Sequence, residues 1–163
     1  MRGVWCVILC TCLLSGCATK TLSPPLTPQA HLPQNEWQGR LSVTVMGTPA
    51  TAMSARFLLR GDVHHGTLDL YSPLGTTVGA LQWSPQLVQL DDGKQVQNFQ
   101  SLAELTEKIT GAALPMAAIF NWLEGKNEPV AGWQTDLSRA QQGSLLARRT
   151  APTPEVTLRI KLD

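Results

Sequence analysis

Apolar and polar side chains alternate along much of the middle of this chain. Leu41, Val43 and Val45 are separated by Ser42 and Thr44. Met53, Ala55, Phe57 and Leu59 follow with Ser54 and Arg56 between them, and Leu68 and Leu70 bracket Asp69. A period of two sends neighbouring side chains to opposite faces, so each run predicts an antiparallel strand with one apolar and one wetted face. Turn-forming strings lie between the runs: Gly47-Thr48-Pro49, Gly61-Asp62, His64-His65-Gly66, Ser72-Pro73-Leu74-Gly75, Ser84-Pro85 and Asp91-Asp92-Gly93. Short runs joined by tight turns predict a meander of six strands.

The period then changes. Ser101-Leu102-Ala103-Glu104 has the form of a capping box, with the serine placed to accept the Glu104 amide and the carboxylate reaching back. Leu102, Leu105 and Ile109 follow at helical spacing up to Gly111. A second helix is predicted from Pro115, with Met116, Ile119, Phe120 and Leu123 on one side, ending before Gly125. After Gly132 the strand pattern returns, weakly through Trp133 to Leu137 and Ser144 to Arg149. It is strong at the end, where Val156, Leu158, Ile160 and Leu162 alternate with Thr157, Arg159 and Lys161. Strands, two helices and strands again do not make a doubly wound parallel fold. The pattern predicts a mainly β, α+β domain: a curved antiparallel sheet with two short helices against its concave face. A wide apolar face roofed by two small helices leaves room for a lipid-like ligand. Periodicity alone does not separate such a space from an ordinary packed core.

The first residues carry a different pattern. Arg2, the apolar run Val4 to Leu14, and Leu14-Ser15-Gly16-Cys17 have the charged start, short apolar core and small-residue end of a secretory signal. A membrane-spanning helix needs about 20 apolar residues, and Thr11, Ser15, Gly16 and Lys20 break this stretch too early. The segment resembles a bacterial lipoprotein signal. The resemblance implies removal of residues 1–16, acylation of Cys17 as the first mature residue, and a lipid anchor. Ala18, where an aspartate would favour inner-membrane retention, points to the outer membrane. Residues 17–36 then form the lipidated cysteine and a tether rich in proline, a residue that favours extended backbone, and residues 37–163 the folded domain.

Composition narrows the function classes. Cys6, Cys10 and Cys12 leave with the signal, so the exported part has no pair of thiols to cross-link and is stabilised by burial. The formal net charge is +1 over 163 residues. Once Arg2 is removed the charges balance, which gives no reason to expect a nucleic-acid partner. The candidate chemistry is thin. His31 lies in the tether, and His64-His65 lies in a turn without the spaced ligands a metal requires. No serine occupies a Gly-x-Ser-x-Gly elbow, the glutamates of the helices are explained by capping and solvation, and the glycines form no phosphate loop. The sequence therefore predicts no enzyme, no catalytic residue, no metal and no cofactor.

Several strings in order resemble the LolB family: Trp37-Gln38-Gly39-Arg40-Leu41-Ser42-Val43, Gly66-Thr67-Leu68-Asp69-Leu70, Ser72-Pro73-Leu74-Gly75, Leu102-Ala103-Glu104-Leu105, Thr110-Gly111-Ala112-Ala113-Leu114-Pro115 and Asn121-Trp122-Leu123-Glu124-Gly125. The resemblance implies an incomplete antiparallel barrel around a hydrophobic cavity lidded by helices. It also implies a lipid-anchored outer-membrane protein facing the periplasm, acting as a monomer. Such a protein takes acylated lipoproteins from a LolA-like periplasmic carrier and places them in outer-membrane lipid. Leu74, flanked by Pro73 and Gly75, is implied to be an exposed membrane-insertion residue, whereas without the resemblance a turn leucine reads as folded back on the sheet. Val43, Phe57, Leu70 and Leu158 on strands, with Leu105, Ile119 and Phe120 on the helices, are the candidate acyl-cavity residues. Two other readings stand beside this one: a lipoprotein that binds a lipid or hydrophobic ligand without delivering it, and a scaffold lipoprotein of an envelope assembly complex.

Overall fold

The computed structural model describes residues 35–163. Its six opening strands are β1 (Glu36–Met46), β2 (Thr51–Gly61), β3 (Gly66–Tyr71), β4 (Thr77–Ser84), β5 (Leu87–Asp91) and β6 (Val96–Asn98). They are followed by helices α1 (Leu102–Thr110) and α2 (Met116–Leu123), then β7 (Trp133–Asp136), β8 (Ser144–Arg149) and β9 (Glu155–Leu162). A single 3-10 turn, Ala140–Gln142, precedes β8. The strands form one nine-stranded sheet in the order β6-β5-β4-β3-β2-β1-β9-β8-β7, and every neighbouring pair is antiparallel. The meander from β1 to β6 is the one the alternation predicts, and the weak patterns after Gly132 are strands β7 and β8.

The register carries one apolar layer across the sheet. Val43 lies opposite both Met53 and Leu158, Leu158 opposite Ala147, and Leu41 opposite Ile160. Phe57 faces Leu70, Leu68 faces Leu81, and Leu81 faces Leu90. Because side chains alternate, one face is continuous hydrocarbon and the other carries Arg40, Arg56, Arg159 and Lys161.

The connectivity explains the helices. The meander ends at one edge of the sheet, β6, and the next strand, β7, lies at the opposite edge. The chain must cross the whole sheet between them, and α1 and α2 make that crossing over the apolar face. Both edge strands are short, three and four residues, which limits exposed backbone donors and acceptors. They do not pair with each other, so the sheet is an incomplete barrel.

Caps fix both ends of α1. Ser101 Oγ accepts the Glu104 amide at 3.2 Å, and Gly111, at φ 82°, ends the helix by donating to the Glu107 carbonyl. The Glu104 carboxylate reaches back one residue further than a capping box requires, accepting from the Gln100 amide at 2.8 Å. Pro115 stands at the N-cap of α2 rather than inside its first turn, and no side chain caps that end. A proline there removes a backbone donor that would otherwise need a partner.

Candidate functional site

The helices and the sheet enclose an apolar chamber. Val43, Phe57, Leu70 and Leu158 from the sheet and Ile119 from α2 line it, together with Leu41, Leu59 and Met116. The empty space within is only about 60 Å³, against several hundred for a typical small-molecule site. In this conformation the side chains nearly fill it. No titratable side chain contributes to the lining.

Two of the helix candidates lie elsewhere. Leu105 is fully buried in the core but does not border the void. Phe120 packs at the chamber's margin, its ring centroid 5.6 Å from that of Trp37 and 6.2 Å from that of Trp83. An eight-residue helix turns its side chains through 100° each, so the adjacent Ile119 and Phe120 point in different directions.

Sequence reading gave no weight to Thr106 and Thr110, yet both are buried and both line the chamber. Thr106 Oγ1 donates to the Ala103 carbonyl at 3.0 Å and accepts from the Leu114 amide at 3.0 Å. The Thr110 hydroxyl lies 2.9 Å from the carbonyls of both Thr106 and Ala112. Together they satisfy the backbone where α1 gives way to the linker, the place where helix ends leave polar groups unpaired. Arg149, at the end of β8, is the cationic counterpart. It donates to the carbonyls of Pro154 at 3.2 Å and Ala113 at 3.5 Å and lies over the Trp133 ring, so it ties the helix linker to the β8–β9 loop. A threonine on a helix or an arginine at a strand end does not signal such a role in one dimension.

Leu74 lies at the tip of the β3–β4 hairpin with 95% of its surface exposed. Gly75 N–H donates to the Ser72 carbonyl at 2.9 Å, and Ser72 N–H donates to the Thr76 carbonyl at 2.8 Å. Ser72 Oγ further accepts from the Thr76 amide at 3.2 Å. Serine, proline and glycine occupy the first, second and fourth positions of this turn, where each is favoured. Gly75 adopts φ 85°, a left-handed conformation open to glycine. Leu74 is thereby held outward while Leu70, four residues earlier, faces the chamber. Cys17 lies outside the described residues.

The family model "Outer membrane lipoprotein LolB" matches residues 34–157. The chain belongs to the LolB family. Among its relatives, the outer-membrane lipoprotein LolB of Shewanella sp. (strain W3-18-1) is 33% identical over 128 residues, covering 74% of this chain and 58% of that protein. LolB of Bordetella petrii is 27% identical over an alignment of 189 residues that covers this whole chain and 92% of its own. LolB of Halorhodospira halophila is 30% identical over 138 residues, covering 79% and 66% respectively. The chain thus spans a little over half of the length of the Shewanella LolB proteins it matches. As a LolB-family member it is an outer-membrane lipoprotein, and among the described residues no helix is long and apolar enough to cross a membrane. In this LolB fold the conspicuous features are the roofed apolar chamber and the exposed turn leucine beside it.

Proposed function

We propose that this protein receives acylated lipoproteins from a periplasmic LolA-like carrier and inserts them into the outer membrane. The observation that carries the reading is the pairing, in one hairpin of a LolB-family chain, of a chamber-lining leucine and an exposed one. Leu70 is buried and lines the apolar chamber, and Leu74 faces out with no neighbour to cover it.

Transfer requires no bond to be broken, only a succession of apolar surroundings. Each Å² of hydrocarbon kept from water is worth roughly 25 cal/mol, so an acyl chain moves from carrier to chamber to bilayer if each site holds it more favourably than the one before. A void of about 60 Å³ does not accept an acyl chain, so the space between the helices and the sheet would have to widen as cargo enters. Acylation of Cys17 would keep the domain at the destination membrane. With no titratable group in its lining, the chamber should bind acyl chains with little dependence on pH.

Reconstitution tests the reading: a carrier loaded with an acylated lipoprotein, this protein, and liposomes. Leu74→Glu should still accept cargo from the carrier but fail to deliver it to the liposomes. Normal delivery by that variant would refute the role of Leu74, and failure of the unmodified protein to take cargo would refute the assignment. The near-filled chamber favours one second reading, a scaffold lipoprotein with an ordinary core, for which no acyl chain would bind under any condition.

A further inference from the structure

The outer face of the sheet, away from the chamber, carries a concentration of cations, of which Arg56 is paired with Asp163 and Arg60 with Glu36 and Asp69. One row crosses five strands: Tyr71 pairs with Arg56, Arg56 with Arg40, Arg40 with Lys161, and Lys161 with Ser144. Like charges placed directly opposite in a sheet repel, and cross-strand pairs of this kind are unfavourable. Beside the row an open groove of about 460 Å³ runs between the sheet and the loop that follows β7. Arg40, Arg139, Arg159 and Lys161 line it, with a single carboxylate, Asp136. Asp136 already accepts from the Ser138 amide at 3.0 Å. Among the described residues, the ion pairs formed by arginine and lysine involve Arg56, Arg60 and Lys126, and none of the four cations of the groove. Ser42, Ser54, Ser138 and Ser144 add hydroxyls to the same walls.

We infer that this groove binds the phosphate of anionic phospholipid headgroups and seats the outer face of the sheet on a lipid surface beside Leu74. Three observations select that occupant. Guanidinium forks match phosphate oxygens in pairs, and three of the four cations are arginines. The serines supply further donors suited to a phosphate. The cationic row also leads directly into the Leu74 turn: Tyr71 immediately precedes Ser72, and Gly75 shares a second outer-face groove with Arg56, Tyr71 and Asp163. Cations that reach headgroups beside an apolar side chain that reaches acyl chains make up the two halves of an interfacial contact. The inference rests on the reading of Leu74 as a membrane-facing residue and adds to it the class of lipid recognised.

The test titrates residues 17–163, carrying Cys17→Ala to prevent acylation, with vesicles of phosphatidylethanolamine with or without phosphatidylglycerol. Residues 17–34 are polar and proline-rich and are common to every variant. The chain should bind the anionic vesicles more tightly, with an affinity that falls as salt is raised. Each cation at a lipid surface counts for about fivefold, so Arg40→Gln with Arg159→Gln should weaken this binding about 30-fold. Lys94→Gln, in the β5–β6 turn, should leave it unchanged. Arg139→Gln, outside the strands, should give about a fivefold loss without touching the sheet. Equal binding to both vesicle types, or undiminished binding by the double variant, would overturn the inference. So would a double variant that binds vesicles normally but no longer accepts cargo from a carrier, which would assign the groove to an acidic protein surface. Leu74→Glu in the delivery assay keeps the two readings apart: normal delivery sinks the insertion role, whereas the comparison of groove variants requires neither cargo nor carrier.

Discussion

Gly39 lies where β1 runs between β2 and β9, and a Cβ there would collide with the Lys161 carbonyl. The obstruction is backbone, which cannot rotate away as a side chain tip can. Gly39→Ala should therefore cost about 1–3 kcal/mol, read as a lowered urea midpoint with an unchanged slope. Nothing in the string Trp37-Gln38-Gly39-Arg40 reveals this collision, because the obstructing atom belongs to a residue at the far end of the chain. Asp62 is a contrasting case, legible locally. Its carboxylate accepts the amides of His65 at 2.9 Å and His64 at 2.7 Å, and these bonds hold its pKa below the ordinary 3.8. A depressed folded value means a stabilising contribution that is complete above the unfolded pKa and is lost as pH falls through the folded one. Asp62→Asn should thus narrow the loss of thermal stability between about pH 6 and about pH 3, and an unaltered difference would refute the turn's role. Leu74 is a third kind of position. It touches almost nothing, so Leu74→Glu should shift stability by less than about 0.5 kcal/mol, and its consequence should appear only in delivery.

At the scale of elements, α1 is the best defined from sequence. Its stop at Gly111 and its Ser101 cap are where the residues predict them, because caps and left-handed stops involve groups within four residues of one another. Ser101→Ala should cost about 1 kcal/mol and speed amide exchange in the first turn of α1. The linker between α1 and α2 is less legible. Thr106 is one of several polar residues on α1 by pattern, but in the fold its hydroxyl satisfies the Leu114 amide eight residues on. Thr106→Val preserves shape and strands that buried donor, at a cost of about 1–3 kcal/mol. Since Thr106 also borders the chamber, the loss should loosen the roof and raise the exchange of α2 amides before those of the sheet. The candidates Ile119 and Phe120 show the same limit. Both are apolar and buried, and only the exact rotation of a short helix decides that the first borders the void and the second fills the space between two tryptophans.

For the molecule as a whole, the roof and the sheet should differ in stability. The central strands β1, β2 and β9 are hydrogen-bonded on both sides, whereas α1 and α2 are held to the sheet by side-chain packing and by the clasps at Thr106, Thr110 and Arg149. Native-state hydrogen exchange should show the helices opening at lower free energy than the central strands, and a single common opening for both would count against a movable roof. The sequence by itself determined that the domain is an antiparallel meander interrupted by two helices, and the family its motif strings belong to. Alternation, caps and turns are written in side chains a few residues apart, and the apolar layer follows from strand parity. The tertiary structure decided the rest. It paired the last strand with the first described one, sent the helices across the apolar face because β6 and β7 lie at opposite edges, and brought cations from β1, β9 and the β7–β8 loop together around one groove. The pairing of β1 with β9 joins residues more than a hundred positions apart, and no local pattern encodes these relations, because the free energy that fixes them comes from burying the apolar layer of the whole sheet.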